Sequence, residues 1–276
     1  MLRERTKKLL SKHGIMLDPS LDEQQLVDEE VICRLIASSG LAGGDTVLEV
    51  GPGIGNITEG LLRRTETVIC IEKNPKYLPI LRERFGSHPG FEVVLGDALN
   101  VKLPRCDRLV SNLPYMICEA FLQRLFRTDV ESAALIVPNG FADILVAEAG
   151  THGYSKLSYQ AQLFYTVEIH AGVPRSAYLP EPKTDTCIMS LVPSASSTAA
   201  DETLKQVFRQ GDKLSKNALR EALIRVGLCD TKRQAAAWIA ESMIPARTLG
   251  GPVARLSLEE VQSLGDWIGS LTDRPG

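Results

Sequence analysis

Long apolar runs, paired cysteines and paired histidines are all missing from this 276-residue sequence. No stretch approaches the ~18 consecutive apolar residues of a membrane helix, and residues 1–10 lack the small-residue cleavage site of a secretory signal. The six cysteines form no C-x-x-C pair, and the four histidines form no H-E-x-x-H motif. The sequence therefore predicts a cytoplasmic globular protein with neither a metal site nor a disulfide framework.

Positive charge is concentrated near the two ends of the chain, although the formal net charge is −3. Residues 1–20 carry five Lys or Arg against two Asp or Glu, and residues 203–256 carry ten against four. Clustered cations favour a nucleic-acid partner, because they attract phosphate. The alternative is that these charges are solvated helix faces without a partner.

The segment 194–202 is small, polar and without periodicity, which is typical of a linker. It separates a large domain over residues 1–193, whose first 20 residues are a basic extension, from a small domain over residues 203–276. Helical periodicity over residues 204–226, 232–242 and 257–271 predicts that the small domain is all-helical.

In the large domain, β-branched runs alternate with amphipathic segments, and the strands are nearly all apolar. This repetition predicts a parallel sheet covered by helices on both faces. Residues 164–170 and 186–192 are expected to add an antiparallel edge. The predicted strands span residues 46–50, 67–72, 91–95, 108–112 and 132–137, and the predicted helices span residues 57–64, 77–85 and 119–127.

A glycine-rich turn follows the first predicted strand, with Gly51, Gly53 and Gly55 just before a helix. These glycines let a ligand approach the backbone in the crevice at the carboxyl ends of the strands. Glu72 ends the second strand, 19 residues after Gly53, where a carboxylate accepts hydrogen bonds from ribose hydroxyls. Asp97, after the third strand, is placed to accept from an adenine amine. An adenosine-type cofactor is predicted, and nicotinamide dinucleotides and S-adenosylmethionine both fit at this point.

The end of the fourth strand decides between these cofactors, because it reads Asn112-Leu113-Pro114-Tyr115. Pro114 stiffens the chain, so the Asn112 side-chain oxygen and the Leu113 carbonyl can converge as two acceptors. Two acceptors that hydrogen-bond to both N–H groups of an adenine amine favour a pyramidal nitrogen. The lone pair of that nitrogen then points at the methyl group of a methyl-sulfonium. Tyr115 is expected to stack on the base. The motif thus favours an S-adenosylmethionine-dependent methyltransferase over an ordinary strand-to-helix turn with an Asn cap.

Together these motifs resemble the KsgA-type ribosomal RNA adenine dimethyltransferases, a family that includes the erythromycin-resistance methylases and the eukaryotic dimethyladenosine transferases. The resemblance covers roughly residues 20–260. It implies an α/β fold, with a Rossmann-like S-adenosylmethionine methyltransferase domain and a small all-helical C-terminal domain. The matching motifs lie at residues 26–28, 48–55, 71–72, 96–98, 112–115, 178–185, 208–210 and 216–219.

The resemblance also implies what individual residues do. Tyr178 is implied to close on a flipped adenine from the side opposite Tyr115, which completes a catalytic set with residues 112–114. The implied partner is small-subunit ribosomal RNA, modified during ribosome biogenesis by a protein that we expect to be a monomer. The expected cofactor-binding residues are Gln24, Leu26, Gly51, Gly53, Glu72, Asp97 and Asn112.

Four departures from the family pattern concern the substrate side more than the cofactor side. Residues 22–26 read Asp-Glu-Gln-Gln-Leu instead of Gly-Gln-Asn/His-Phe-Leu, and residues 137–140 lack the usual Gln-Lys-Glu. Residues 116–118 read Met-Ile-Cys where Asn or Gln, Ile and Ser are usual, and Tyr178 replaces a usual Phe. The number of methyl groups and the target adenine therefore stay open.

Basic residues of the helical domain are expected to dock RNA, because they attract phosphate. The predicted RNA-docking residues are Lys205, Arg209, Lys213, Lys216, Arg220, Arg225, Lys232 and Arg233.

Two alternative functions are open. One is a DNA adenine or protein glutamine methyltransferase, but Leu113 and the helical domain count against it. The other is a ribosome-assembly factor with little or no catalysis, and the intact motifs count against it.

Overall fold

A computed structural model describes residues 1–18, 23–194 and 198–272 and divides the chain into two compact units. The first unit comprises Met1–Val146 and Thr166–Pro193, and the second comprises Ala147–Tyr165 and the chain from Ser194 onward. This division differs from the expected boundary at residue 193, because the segment Ala147–Tyr165 belongs to the second unit. Part of the expected linker, residues 195–197, lies outside the described residues.

The strands of the first unit follow the predicted pattern closely. They are β1 (Gln25–Leu26), β2 (Thr46–Val50), β3 (Thr67–Glu72), β4 (Phe91–Leu95), β5 (Arg108–Asn112), β6 (Ser132–Pro138), β7 (Tyr165–Val173), β8 (Tyr178–Leu179) and β9 (Thr186–Pro193). Seven of these described strands form one sheet in the order β4-β3-β2-β5-β6-β9-β7. Strands β4, β3, β2, β5 and β6 run parallel, whereas β9 is antiparallel to β6. Strand β1 pairs with β8 in a separate antiparallel ladder.

The three helices predicted in this unit are present, and three further helices, over Leu2–Lys12, Glu29–Ala37 and Asn139–Val146, were not predicted. The first of these lies in the segment that we expected only to be a basic extension. Its residues Leu2, Thr6 and Leu10 are buried, and their spacing of four places them on one helix face. The helices of this unit are α1 (Leu2–Lys12), α2 (Glu29–Ala37), α3 (Asn56–Leu62), α4 (Leu78–Phe85), α5 (Cys118–Leu125) and α6 (Asn139–Val146).

Apolar strands at the centre of the sheet hold the loops of the candidate site in place. Val47 of β2 and Leu109 and Val110 of β5 are fully buried, and burying such a side chain contributes about 1.5–3 kcal/mol. Gly55 closes the turn after β2 with a φ of 85°. A Cβ atom there would lie 2.4 Å from Phe85 Cε2, so α4 packs directly against the turn.

The second unit is helical in its described residues from Ala199 onward. The predicted helix over residues 204–226 is wrong, because the chain breaks around Gly211 and is extended at Leu214 before the next helix begins. No helix among the described residues has the length and apolar character needed to cross a membrane. The helices are α7 (Lys156–Phe164), α8 (Ala199–Phe208), α9 (Ser215–Arg225), α10 (Lys232–Ala240), α11 (Ala246–Gly250) and α12 (Leu258–Thr272).

Candidate active site

A cavity of about 480 Å³ opens in the first unit where β2, β3 and β5 end. The parallel strands bring their carboxyl ends to one edge of the sheet, and the loops that follow them form the cavity wall. Every residue of the expected cofactor-binding set lies in this wall, as do residues 113–115. Its lining includes Gln24, Leu26, Gly51, Gly53, Glu72, Asp97, Asn112, Leu113, Pro114 and Tyr115.

The glycine-rich turn approaches its neighbours too closely for larger residues. Gly51 and Gly53 have φ angles of 68° and 57°, which disfavour any residue with a Cβ atom. A Cβ atom on Gly53 would lie 2.4 Å from Gln25 Oε1, which itself accepts a hydrogen bond from the Ile54 amide at 3.1 Å. The turn is therefore a backbone-lined cradle, which suits a ligand that approaches the main chain.

Glu72 connects this turn to the end of β3. Its Oε2 atom accepts from the Gly53 amide at 3.1 Å, and its Oε1 atom accepts from the Asn74 amide at 2.7 Å. Burial raises the pKa of the Glu72 carboxyl to about 6. Each carboxylate oxygen has a second lone pair, so the ionised group can still accept hydrogen bonds from a ligand.

Asp97 is another acid of the cavity wall, and its environment keeps it ionised. The Leu99 amide donates to its Oδ1 atom at 2.9 Å, and Lys73 Nζ lies 3.0 Å from its Oδ2 atom. These contacts, the backbone hydrogen bond first, lower the pKa of Asp97 below its usual value. Of these two predicted cofactor-binding acids, Glu72 thus titrates near pH 6 and Asp97 remains charged.

Asn112 presents a buried acceptor at the end of β5. Its Oδ1 atom has no hydrogen-bond donor among the described residues. The strand around it is held firmly, because Ser111 Oγ donates to the Val50 carbonyl at 2.6 Å and the Leu113 amide donates to the Ile136 carbonyl at 3.1 Å. Buried polar atoms are nearly always hydrogen-bonded in folded proteins. An unmatched acceptor in a cavity wall therefore points to a donor on a bound ligand.

The two tyrosines implied to sandwich a base lie in different environments. Tyr115 lines the cavity and is half-buried. Tyr178 is fully buried, does not line the cavity, and hydrogen-bonds through its hydroxyl to Thr186 Oγ1 at 2.8 Å. This placement differs from the expectation, because a core side chain presents no ring face to a base. Met116 lies at the cavity with 78% of its surface exposed.

Six polar residues of the cavity wall were not anticipated as site residues from the sequence. Three of them lie directly after a predicted motif: Asn56 follows the third glycine of the turn, and Lys73 and Asn74 follow Glu72. The other three become visible only when distant segments meet. Residue 22, the first of the divergent motif at residues 22–26, lies outside the described residues. The unanticipated residues are Glu23, Gln25, Asn56, Lys73, Asn74 and Tyr77.

Most of the predicted RNA-docking residues lie on the surface of the second unit. Arg209 and Arg220 are half-buried. Lys205 is an exception, because it is only 8% exposed on the buried face of α8 and pairs with Glu202 at 3.2 Å. Its expected availability to phosphate is therefore a wrong prediction. The exposed residues of the set are Lys213, Lys216, Arg225, Lys232 and Arg233.

Comparison with known proteins establishes the family. The family model described as ribosomal RNA adenine dimethylase matches residues 17–232. A protein of Methanosarcina mazei named probable ribosomal RNA small subunit methyltransferase A is 32% identical, with 99% of each chain covered. A protein of the same name from Pyrococcus abyssi is 33% identical over 84% of this chain and 86% of its own length. The chain therefore belongs to the ribosomal RNA adenine dimethylase family.

Two solved structures confirm the fold. A dimethyladenosine transferase from Plasmodium falciparum superposes with a TM-score of 0.61 at 21% identity, covering 89% of this chain and 97% of that one. The 23S rRNA methyltransferase ErmE superposes with a TM-score of 0.59 at 25% identity, covering 88% and 99%. The predicted Rossmann-like fold and family are confirmed, and with them the prediction of an S-adenosylmethionine-dependent methyltransferase of ribosomal RNA adenine.

Proposed function

We propose that this protein methylates the exocyclic amine of adenine in small-subunit ribosomal RNA, adding two methyl groups during ribosome biogenesis, and that it acts as a cytoplasmic monomer. The observation that carries the proposal is the unmatched Asn112 Oδ1 atom in the wall of the cavity. The relatives that are 32% and 33% identical carry a small-subunit name, whereas the structural relative named for 23S rRNA is 25% identical. This difference favours the small subunit as the target.

The cofactor would be held by the residues that line the turn and the strand ends. When bound, S-adenosylmethionine supplies an electrophilic methyl group. The cradle at Gly51 and Gly53 suits its amino-acid part, and Glu72 would accept from its ribose hydroxyls. Asp97, whose pKa is lowered by the Leu99 amide and by Lys73, would accept from its adenine amine. Gln24, Leu26 and Asn112 complete the proposed set.

Asn112 and Leu113 would orient the substrate. The Asn112 side-chain oxygen and the Leu113 carbonyl would each accept one N–H of the adenine amine, which directs the nitrogen lone pair toward the methyl donor. Tyr115 would stack on the base, while Pro114 fixes the chain between the two acceptors. The methylated nitrogen then loses a proton to water, so no strong general base is required.

RNA docking is proposed for the exposed cations of the second unit, namely Lys213, Lys216, Arg225, Lys232 and Arg233, with Arg209 and Arg220 beside them. Lys213 already lies 2.6 Å from Glu221, and Arg225 donates to Gln206 Oε1 at 2.9 Å. Both side chains are therefore engaged within the protein. Lys216, Lys232 and Arg233 are exposed as well, and they are the clearest candidates for phosphate contacts.

A methyl-transfer assay tests this function directly. Labelled S-adenosylmethionine is incubated with the protein and, in separate reactions, immature small subunits, naked ribosomal RNA and duplex DNA. We expect label in the adenines of the small-subunit RNA, as dimethyladenosine by nucleoside mass spectrometry. Label only in DNA would overturn the RNA substrate. Binding to particles without methylation of any adenine would instead favour the assembly-factor alternative.

A further inference from the structure

The amide group of Asn56 joins the N-terminal helix to the cofactor-side wall of the cavity. Its Nδ2 atom donates to Thr6 Oγ1 of α1 at 3.0 Å and to the Leu26 carbonyl at 2.9 Å. Its Oδ1 atom accepts from Arg84 Nη1 at 3.3 Å. Because a carbonyl only accepts and a guanidinium only donates, these partners determine the orientation of the amide. Thr6 is completely buried and Asn56 is 6% exposed.

Asn56 occupies a position where a small displacement changes the shape of the cavity. It is the first residue of α3 and directly follows Gly55, whose left-handed backbone ends the glycine-rich turn. Asn56 itself lines the cavity, as does Leu26. The hydrogen bond from Asn56 to the Leu26 carbonyl therefore joins the end of the turn to the Leu26 segment, and Thr6 fixes the Asn56 amide in that position by accepting its second N–H.

The same helix also contacts the other side of the Leu26 segment. Arg3 Nη2 donates to the Tyr178 carbonyl at 3.0 Å and also to the Ser176 carbonyl. Tyr178 pairs with Leu26 in the ladder between β1 and β8. Helix α1 is thus connected to both strands of this ladder. Thr6 is connected to Leu26 of β1 through Asn56, and Arg3 contacts Tyr178 of β8 directly.

Ion pairs fix α1 to the two helices beside the turn. Arg5 Nη1 donates to Glu59 Oε1 of α3 at 3.1 Å, and Lys12 Nζ lies 2.5 Å from Glu83 of α4. Arg84 connects these helices, because it donates to Glu59 at 2.5 Å and to the Ile54 carbonyl within the turn. Helix α1 is therefore attached to both helices that frame the glycine-rich turn.

From these contacts we infer that α1 is a positioning element of the cofactor site, and that it acts through the hydrogen bond between Thr6 and Asn56. Thr6 is a positioning residue that contacts no ligand. The inference rests on the proposed function, because it assumes that the cavity binds S-adenosylmethionine. Helix α1 precedes residues 17–232, the part of the chain that the family model matches.

Three single variants of the full-length protein test this role. Thr6→Val keeps the shape and removes the hydroxyl that Asn56 donates to, whereas Thr6→Ser keeps the hydroxyl. Thr248→Val is the matched control, because Thr248 is 2% exposed in the second unit and its hydroxyl donates to Glu260 Oε1 at 2.7 Å. The measurements are the dissociation constant for S-adenosylmethionine by calorimetry, the melting temperature, and hydrogen–deuterium exchange of residues 51–58.

We expect Thr6→Val to raise the dissociation constant about 2- to 10-fold, the range for removal of one hydrogen bond, and to speed exchange in residues 51–58. Thr6→Ser should restore both values, and Thr248→Val should lower the melting temperature without changing affinity. If Thr6→Val does not fold, Arg3→Gln is measured instead. We expect about a twofold weaker affinity from that variant, because the hydrogen bond to the Tyr178 carbonyl is removed.

Equal affinities of wild type and Thr6→Val, with a lowered melting temperature, would overturn the inference and leave Thr6 a purely structural residue. Where Arg3→Gln is the variant measured, unchanged affinity would likewise overturn the inference that α1 positions the cofactor site. Failure of the wild type itself to bind S-adenosylmethionine would instead contradict the proposed function.

Discussion

The Gly53 amide donates a hydrogen bond to Glu72 Oε2 at 3.1 Å, which ties the glycine-rich turn after β2 to the end of β3. The turn and the acid are adjacent in space because β2 and β3 are parallel neighbours in the sheet. Glu72 therefore has one observed role and one proposed role. It holds the main chain that lines the cradle through the Gly53 amide, and its carboxylate is proposed to accept hydrogen bonds from S-adenosylmethionine.

Cofactor binding should weaken as the pH falls through about 6. Burial raises the pKa of Glu72 to about 6, so below that pH the protonated acid loses acceptor capacity. Since the carboxylate is the proposed binding form, the dissociation constant should rise by about tenfold for each pH unit once the pH is well below the pKa. Calorimetry with S-adenosylmethionine on both sides of this pH measures the effect.

The matched variant is Glu72→Gln, which keeps the shape and cannot titrate. It should bind S-adenosylmethionine roughly 1–3 kcal/mol more weakly at neutral pH, and the step near pH 6 should disappear. Wild-type affinity in this variant, or an identical pH profile in both proteins, would remove Glu72 from the cofactor site.

Local signals in the sequence are sufficient to predict the strands and the cradle. The apolar runs of β2, β3 and β5 have the length and composition of buried parallel strands, and the left-handed turn needs glycine. The contact between Thr6 and Asn56 has no such signal, because it joins side chains 50 residues apart and depends on how α1 packs. The burial of Tyr178 has no local signal either, because a tyrosine suits a buried core position and an exposed stacking position equally well. Only the hydrogen-bond partner of its hydroxyl distinguishes the two, and the sequence does not show that partner.

Glu49 should make the protein less stable as the pH rises from about 4.5 toward 7. It is 1% exposed, accepts from Thr58 Oγ1 at 2.6 Å, and has its pKa raised by burial to about 7. A carboxyl whose pKa is raised by folding binds more protons in the native state than in the unfolded state. Its contribution to stability is therefore complete at low pH and is lost as the pH rises, at up to about 1.4 kcal/mol per pH unit.

Chemical denaturation of wild type and Glu49→Gln across this pH range tests the prediction. Other carboxyls have lowered pKa values and act in the opposite direction, so the informative quantity is the difference between the two proteins. We expect that difference to favour Glu49→Gln increasingly as the pH rises. The exposed Glu92→Gln serves as the control, and a difference that does not vary with pH would contradict the prediction.

Charge on the second unit should govern RNA affinity and its salt dependence. A triple variant, Lys216→Gln, Lys232→Gln and Arg233→Gln, removes three exposed cations. For each phosphate contact that the substitutions remove, the slope of log affinity against log salt should become shallower by about 0.7–0.9. Filter binding to immature small subunits at several salt concentrations measures the slope, and affinity for S-adenosylmethionine should stay unchanged.

The control for this triple variant removes three exposed cations of the first unit, through Lys102→Gln, Arg105→Gln and Arg127→Gln. If both triple variants lose affinity equally, net charge rather than a docking surface explains the binding. An unchanged slope in the first variant would mean that Lys216, Lys232 and Arg233 are only a solvated face.

Asn112→Ala should abolish methylation while association with the ribosomal particle persists. The Asn112 Oδ1 atom is buried in the cavity wall without a donor among the described residues, so its proposed partner is a single amine of a large RNA. Losing one preorganised acceptor at a reacting centre costs about 100- to 1000-fold in rate, whereas docking depends on many phosphate contacts. Asn112→Asp keeps an acceptor oxygen and should retain more activity than Asn112→Ala.

Tyr115→Ala should lose activity similarly and also lose roughly 1–3 kcal/mol of base stacking.

Folding and cofactor affinity of these variants are measured first, because Asn112 is also proposed to contact S-adenosylmethionine. Single-turnover rates with labelled cofactor and immature small subunits then report on the transfer itself. Particle binding is followed by sedimentation, and we expect Asn112→Ala to sediment with the particle as the wild type does. Wild-type rates in Asn112→Ala would refute the two-acceptor mechanism. Loss of particle binding together with activity would show that this residue acts in docking, because a grip on one amine cannot account for the affinity of the whole interface.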